Sequence, residues 1–225
     1  VSHGSIATTG SLGPAAIFGT NLSADHPVGM LPVDDGQLVS TLFNIPPSTK
    51  DPAVTLSAGR VECGSCHDPH TPNNDATVPK FLARSNSNGQ LCLACHEPGR
   101  PQPNQLNGWT TGAHATFTNT VPTAAGVGPY GTVAANACSS CHLSHRSPVS
   151  PRNLKAAEES ACATCHNGTT ITPALRNVMG EFSKTYRHPT TTVSGAHEAA
   201  ETLPVNNARH AECADCHNSH AAAAQ

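Results

Sequence analysis

Large core-forming side chains are scarce in this sequence. Phe, Trp and Tyr number only 5, 1 and 2 in 225 residues, and two Met complete the stock. The 37% hydrophobic content is carried largely by Ala and Val, which bury little area each. Burial returns about 25 cal/mol per Å² of apolar surface, whereas ordering a residue costs about 1–2 kcal/mol. That balance argues against an ordinary sheet or bundle enzyme with a protein-built core, and something other than side chains must fill the interior. Charge is scarce as well, at 12% of residues, with 12 basic against 15 acidic and no run of one sign. A net charge of −3 without a basic cluster is not a nucleic-acid footprint. No apolar stretch approaches the ~20 residues of a membrane helix, so no membrane span is expected. The chain starts at Val1 rather than Met, which reads as a processed end left after removal of an export signal.

What is plentiful is Gly (18), Pro (19), Cys (10) and His (14). All ten cysteines fall into five copies of one pattern: Cys63-x-x-Cys66-His67, Cys92-x-x-Cys95-His96, Cys138-x-x-Cys141-His142, Cys162-x-x-Cys165-His166 and Cys213-x-x-Cys216-His217. C-x-x-C-H is the attachment motif for c-type haem. On one helical turn, Cys at i and i+3 face the same way and can bond the two haem vinyl groups as thioethers. His at i+4 then ligates the iron from the proximal side. Chance at this composition gives about 0.03 copies of the motif. A zinc ribbon needs no His after every Cys pair. A disulfide scaffold would not pair every Cys at i,i+3, and a thioredoxin-like site is one motif in a βαβ context. The expected cofactor is therefore five haem c, attached after export. The expected location is extracellular or at the cell surface, reached through the periplasm, with a periplasmic location as the alternative.

The motifs are periodic. Cys63, Cys138 and Cys213 are spaced by 75 residues, and each of these motifs continues to a second His three positions on: His70, His145 and His220. Upstream, Gly59-Arg60-Val61-Glu62 rhymes with Arg209-His210-Ala211-Glu212. Between paired motifs, Pro79-Lys80-Phe81-Leu82 rhymes with Pro151-Arg152-Asn153-Leu154. The chain reads as one pentahaem domain over 1–225, built of units 25–100 and 101–175 and a half unit 176–225. Such a period suggests a stacked, quasi-linear architecture.

Two Met cannot serve five irons, so bis-His ligation and low reduction potentials are expected. Distal candidates are His26, His70, His114, His145, His188 and His220. A His at +3 points away from its own iron and suits a neighbouring haem. His114 and His188 lie upstream of Cys138 and Cys213, and His26 shares a His-Pro step with His188, where Pro fixes the backbone behind the imidazole. His3, His197 and His210 are weaker candidates. A terminal His such as His3 can in principle reach the haem of a neighbouring subunit. The fold expected is mostly irregular chain around a stacked haem array, with a few short helices and minimal sheet. Leu154–Cys165 reads as the best helix and Leu175–Tyr186 as a second, with Pro52–Leu56 as a short strand.

The doubled C-x-x-C-H units, with His-Pro upstream and C-x-x-C-H-x-x-H in alternate motifs, resemble the doubled-motif multihaem c-type cytochromes of metal-reducing bacteria. The Gly/Pro/Thr-rich, weakly charged chain further resembles the polymerising extracellular cytochromes called cytochrome nanowires. That resemblance implies a continuous haem stack in a homopolymer, with a His from one subunit completing an iron of the next. Here it would map onto His3 or His26 at one end, or His220 at the other. It also implies that redox partner proteins or extracellular acceptors take the electrons. Three functions are weighed: an electron conduit as filament subunit, a soluble periplasmic pentahaem carrier feeding a partner reductase, and a multihaem reductase. The third needs an iron with an open position. Histidines here outnumber irons, so no enzyme activity is expected.

Overall fold

The computed structural model describes residues 22–71, 78, 80–100, 106–122, 129–148, 152–190 and 211–223. Within them the chain is mostly irregular, punctuated by short helices and isolated bridges. The helices are α1 (Cys63–Cys66), α2 (Gln90–Leu93), α3 (Ala113–Thr116), α4 (Val133–Asn136), α5 (Glu158–Ala163) and α6 (Cys213–Cys216). Several single 3-10 turns join them, including Ala137–Ser140 and Met179–Ser183. No strand longer than one bridge is found among the described residues. No helix there is long and apolar enough to cross a membrane.

Local chemistry explains why the helices start where they do. Glu62 and Glu212, which occupy the same place in the repeat, precede α1 and α6. The Glu62 N–H donates to Ser65 Oγ at 3.0 Å, and the Glu212 N–H donates to the Asp215 carboxylate at 2.8 Å. Thr132 caps α4 by accepting from the Ala135 N–H at 3.1 Å. Each cap satisfies an amide that a first turn leaves unpaired. None of these helices exceeds six residues, so none is stable alone.

The rhyming segments turn out to be structural equivalents. Leu82 bridges His67 as Leu154 bridges His142. The Asp68 N–H donates to Phe81 O, and the Leu143 N–H donates to Asn153 O. The Ala83 N–H donates to Cys66 O, and the Lys155 N–H donates to Cys141 O. Non-glycine residues take left-handed backbone at Lys80, Phe81 and Asn153, which folds each segment back over its motif. The same pairing limits the helix expected over Leu154–Cys165. Leu154 and Lys155 are engaged with the previous motif and Ala157 is extended, so α5 starts at Glu158. The helix expected over Leu175–Tyr186 shrinks to a 3-10 turn, because the Val178 N–H is drawn to His166 O and Asn177 Oδ1 takes the Gly180 N–H. Pro52–Leu56 is turn and coil, not strand; the Val54 N–H closes a turn onto Asp51 O.

Apolar packing is thin. Among the described residues the core cluster is Val121, Val133 and Ile171, with Cys165 and Leu175 against it. Thr120 ties it together by bridging both Thr132 and Thr172.

Candidate functional site

Each C-x-x-C-H motif closes the same turn. The N–H of the histidine donates to the carbonyl of the first cysteine, from His67 to Cys63, His96 to Cys92, His142 to Cys138, His166 to Cys162 and His217 to Cys213, all at 2.9–3.0 Å. No two of the ten cysteines are joined as a disulfide. Burial pushes most of them up, Cys95 to about 11 and Cys162 to about 12. Apolar surroundings of this kind suit neutral thioethers better than metal-bound thiolates.

The histidines of four motifs each face one further imidazole. Ring centres are 6.2 Å apart for His96 and His26, 6.1 Å for His67 and His145, 6.2 Å for His166 and His114, and 6.2 Å for His142 and His220. Separations of this size fit aromatic pairs, and they also fit two imidazoles on a shared metal. A first-row metal binds an imidazole nitrogen at about 2.0–2.1 Å, and that nitrogen lies about 1.1 Å from its ring centre, so two imidazoles trans on one metal sit about 6.2–6.4 Å apart. The four pairs have that spacing. The ring planes differ: His26/His96 and His114/His166 are nearly perpendicular, at 89° and 83°, while His67/His145 and His142/His220 are nearly parallel, at 20° and 6°. Among the described residues no three His, Cys, Asp or Glu side chains converge as a closed metal-ligand set. The imidazoles come in twos, which fits the axial positions of a metal already held by a planar macrocycle.

Second-layer bonds aim the rings. His67 Nδ1 meets Lys80 O at 3.1 Å and His142 Nδ1 meets Arg152 O at 2.9 Å, so the left-handed segments orient the motif histidines. His26 Nδ1 meets Pro27 O at 3.1 Å, and His114 Nδ1 meets Ser219 O at 2.7 Å. Each such bond occupies Nδ1 and leaves Nε2 to coordinate. Burial, then the facing His26, pushes His96 down to about 4. Burial likewise lowers His142, His145 and His166, keeping their lone pairs free.

His145 differs: its Nδ1 lies 3.7 Å from the carboxylate of Asp25. Asp25 is buried at 5% exposure, and its Oδ1 also accepts the Arg146 N–H at 2.9 Å. Sequence reasoning missed this residue. It adjoins His26 but serves a histidine 120 positions away (145 less 25), so no local signal marks it.

The loops that carry the +3 histidines dock in a regular way. The His145 loop lies on the segment bearing His26: the His26 N–H donates to Ser144 O at 2.8 Å and the Ser147 N–H donates to Ala24 O at 2.7 Å. The His220 loop lies on the segment bearing His114, where the Ala113 N–H donates to Ala222 O at 2.6 Å. Trp109 approaches His220 edge-on at 6.1 Å. Glycine is required there, because a Cβ at Gly112 would sit 2.8 Å from His220 O and one at Gly108 would sit 2.8 Å from Ala221 Cβ.

The motifs also abut in chain order. Cys92 lies close enough to Cys138, and Cys162 to Cys213, for each thiol to perturb the other. Cys95 feels Cys66, and Cys141 feels Cys165. First cysteines meet first cysteines between units, and second meet second within them.

His70, His188 and His217 are exposed, and none faces another imidazole among the described residues. His3, His197 and His210 lie outside the described residues.

A family model described as the doubled CXXCH motif matches residues 56–101 and 131–170, under half of the chain. Those stretches hold the first four motifs. No curated protein and no solved structure matches the chain. The doubled CXXCH motif indicates covalently bound haem c and electron transfer, and with the geometry of these sites it supports a multihaem c-type cytochrome.

Proposed function

We propose that the chain holds five haem c groups, one per motif, and conducts electrons along them as the subunit of an extracellular filament that delivers electrons to external acceptors. Proximity of successive attachment sites carries this reading: thiols of motifs one and two, two and three, three and four, and four and five are close enough to influence one another electrostatically. Haem bound there supplies one-electron Fe(III)/Fe(II) exchange at low potential. The chain's own part is to fix ligands and spacing. His67, His96, His142, His166 and His217 are the proximal ligands, and His145, His26, His220 and His114 are the distal ligands of the first four. Two facing histidines at each of the first four sites would leave no open position there for a substrate, and electron transfer is the reaction assigned.

Two classes of ferric low-spin signal are expected. Parallel imidazole planes split the two iron d orbitals that overlap them, whereas perpendicular planes leave those orbitals nearly degenerate. Electron paramagnetic resonance of the purified protein should give rhombic spectra for the His67/His145 and His142/His220 sites and large-anisotropy spectra for the other two. Pyridine haemochrome assay should give five haem c per chain, and negative-stain microscopy of the native cell-surface fraction should show filaments. Fewer haems, or one signal class alone, would refute the ligand assignment. Monodisperse particles at every concentration would refute the filament.

Asp25 gives a separable prediction. Its buried carboxylate beside His145 Nδ1 makes the imidazole a stronger donor and favours Fe(III). Asp25→Asn should raise that one haem's potential by roughly 30–60 mV, about half to one tenfold step in a one-electron equilibrium. Spectroelectrochemical titration that leaves all potentials in place would show that the carboxylate does not tune the iron.

A further inference from the structure

We propose that Arg100 is a positioning residue for motif two, residues 92–96: with Asp34 it latches the segment 34–51 across Cys95 and His96, and that cover raises the potential of the haem held there. The proposal rests on the haem assignment and adds what sets this site apart from the others.

Only 12% of the residues are charged, yet three ion pairs fasten this one segment to the residues around motif two. They are Asp34 with Arg100, Lys50 with Glu97 and Asp51 with Arg84. Asp51 is buried. The Arg100 guanidinium donates to both Asp34 carboxylate oxygens, at 2.5 and 2.7 Å, in a two-point fork. It also donates to Leu38 O at 2.9 Å and lies over the Phe43 ring, 6.0 Å from its centre.

The latched segment lies directly on the motif. The Val39 N–H donates to Cys95 O at 2.7 Å, the Lys50 N–H to Ala94 O at 2.8 Å, and the Glu97 N–H to Gln37 O at 2.8 Å. Leu38 bridges His96. Val39 and Leu42 on the segment and Ala94 in the motif are buried. Motif four holds the same place in the second unit without this cover. Among the described residues neither Thr164 O nor Cys165 O takes a backbone N–H from a distant segment. Thr170 stands four positions after His166, where Arg100 stands four after His96.

A lone exposed ion pair contributes little. Here one guanidinium serves a carboxylate, a carbonyl and an aromatic face, so its loss releases all three. Keeping water from an iron lowers the local dielectric and disfavours the added positive charge of the ferric state, which raises the potential. A cover and a bare charge differ in one respect. Removing the Arg100 cation lowers the potential in either case. Removing the Asp34 anion raises it if charge alone acts, and lowers it if the latch acts.

The test uses the full haem-loaded chain with Arg100→Gln, Asp34→Asn and the double variant. Redox titration followed by electron paramagnetic resonance is combined with hydrogen exchange at the Val39 and Lys50 amides. Each single variant is expected to speed exchange at both amides. Each should also shift the one-electron equilibrium of one large-anisotropy haem about three- to tenfold toward the ferric state, roughly 30–60 mV, with the other potentials in place. The double variant should shift it no further, because the two side chains act as one unit. Should Arg100→Gln fail to take up haem, Arg100→Lys keeps the charge, loses the fork and is expected to shift the same way. Shifts of opposite sign in the two single variants overturn the inference in favour of a through-space charge. Faster exchange with unmoved potentials also overturns it, as does unchanged exchange. A chain without haem c in the haemochrome assay overturns the underlying haem assignment instead.

Discussion

Produced without haem attachment, the chain is expected to be unfolded: a coil-like circular dichroism spectrum, collapsed amide dispersion and no cooperative melt. The buried apolar side chains among the described residues are few and small, with Val39, Leu42, Val54, Trp109, Val121, Val133 and Ile171 the largest. Each contributes about 1.5–3 kcal/mol on burial. Every ordered residue costs about 1–2 kcal/mol of conformational entropy, and here most ordered residues bring no such side chain. The helices, four to six residues long, cannot hold themselves. What remains is the proposed coordination. The four facing pairs close loops of 52 to 78 residues (166 less 114 at the short end, 145 less 67 at the long). When a preformed site is absent from the unfolded chain, the free energy of ligation is folding free energy. The fall from ordered to disordered should therefore be complete rather than graded. A haem-free chain that melts cooperatively would show that protein packing alone suffices and that the scarcity of large residues was misread.

Much of this was legible because the chemistry lies in short motifs at fixed spacing. C-x-x-C-H specifies its own turn, and the i→i+4 bond from His to Cys recurs in all five copies. The irregular fold came from Gly, Pro and few large residues. The rhyme of Pro79–Leu82 with Pro151–Leu154 was visible as text, but not as the carbonyl that orients His67 or His142. That role is played by a backbone oxygen and leaves no mark on residue type. The histidine pairing was half legible. The +3 position announces a ligand for another site, but which site depends on how the units stack. Asp25 left no trace because its partner is far along the chain. Element lengths were the weakest reading. Glu158 and Glu159 do start a helix, yet the preceding Leu154 and Lys155 are held by motif three, a tertiary demand that overrides local propensity.

Replacing Asn136 by Ala should cost about 2–4 kcal/mol of stability in the haem-loaded protein, a large loss for a single polar side chain. Asn136 has no exposure. Its Oδ1 accepts the Tyr130 N–H at 2.9 Å, and its Nδ2 donates to Tyr130 O at 2.6 Å and Thr132 O at 2.8 Å. Alanine would leave that amide and those carbonyls short of partners in a buried turn, and each unpaired group costs about 1–3 kcal/mol. Asn136→Asp, similar in shape, should be no better, since it keeps the acceptor for Tyr130 but turns an anion toward two carbonyls. The position matters because of its two C-terminal neighbours. Ala137, at φ 45°, is a buried non-glycine residue in a sparsely allowed conformation, and Cys138 comes next. Gly89 approaches so closely that a Cβ there would lie 3.1 Å from Cys138 Sγ. The Asn136 bonds hold this strained corner in place, and the corner presents Cys138 to Cys92 across the junction between units. Loosening it should therefore act twice. Guanidinium denaturation followed by the Soret band should show an earlier midpoint, and the potentials of the haems at motifs two and three should shift together while those at motifs one and five do not. An unchanged midpoint would mean that the Thr132 cap alone supports α4. A midpoint shift without the paired change in potential would confine Asn136 to stability and detach it from the spacing of the electron path.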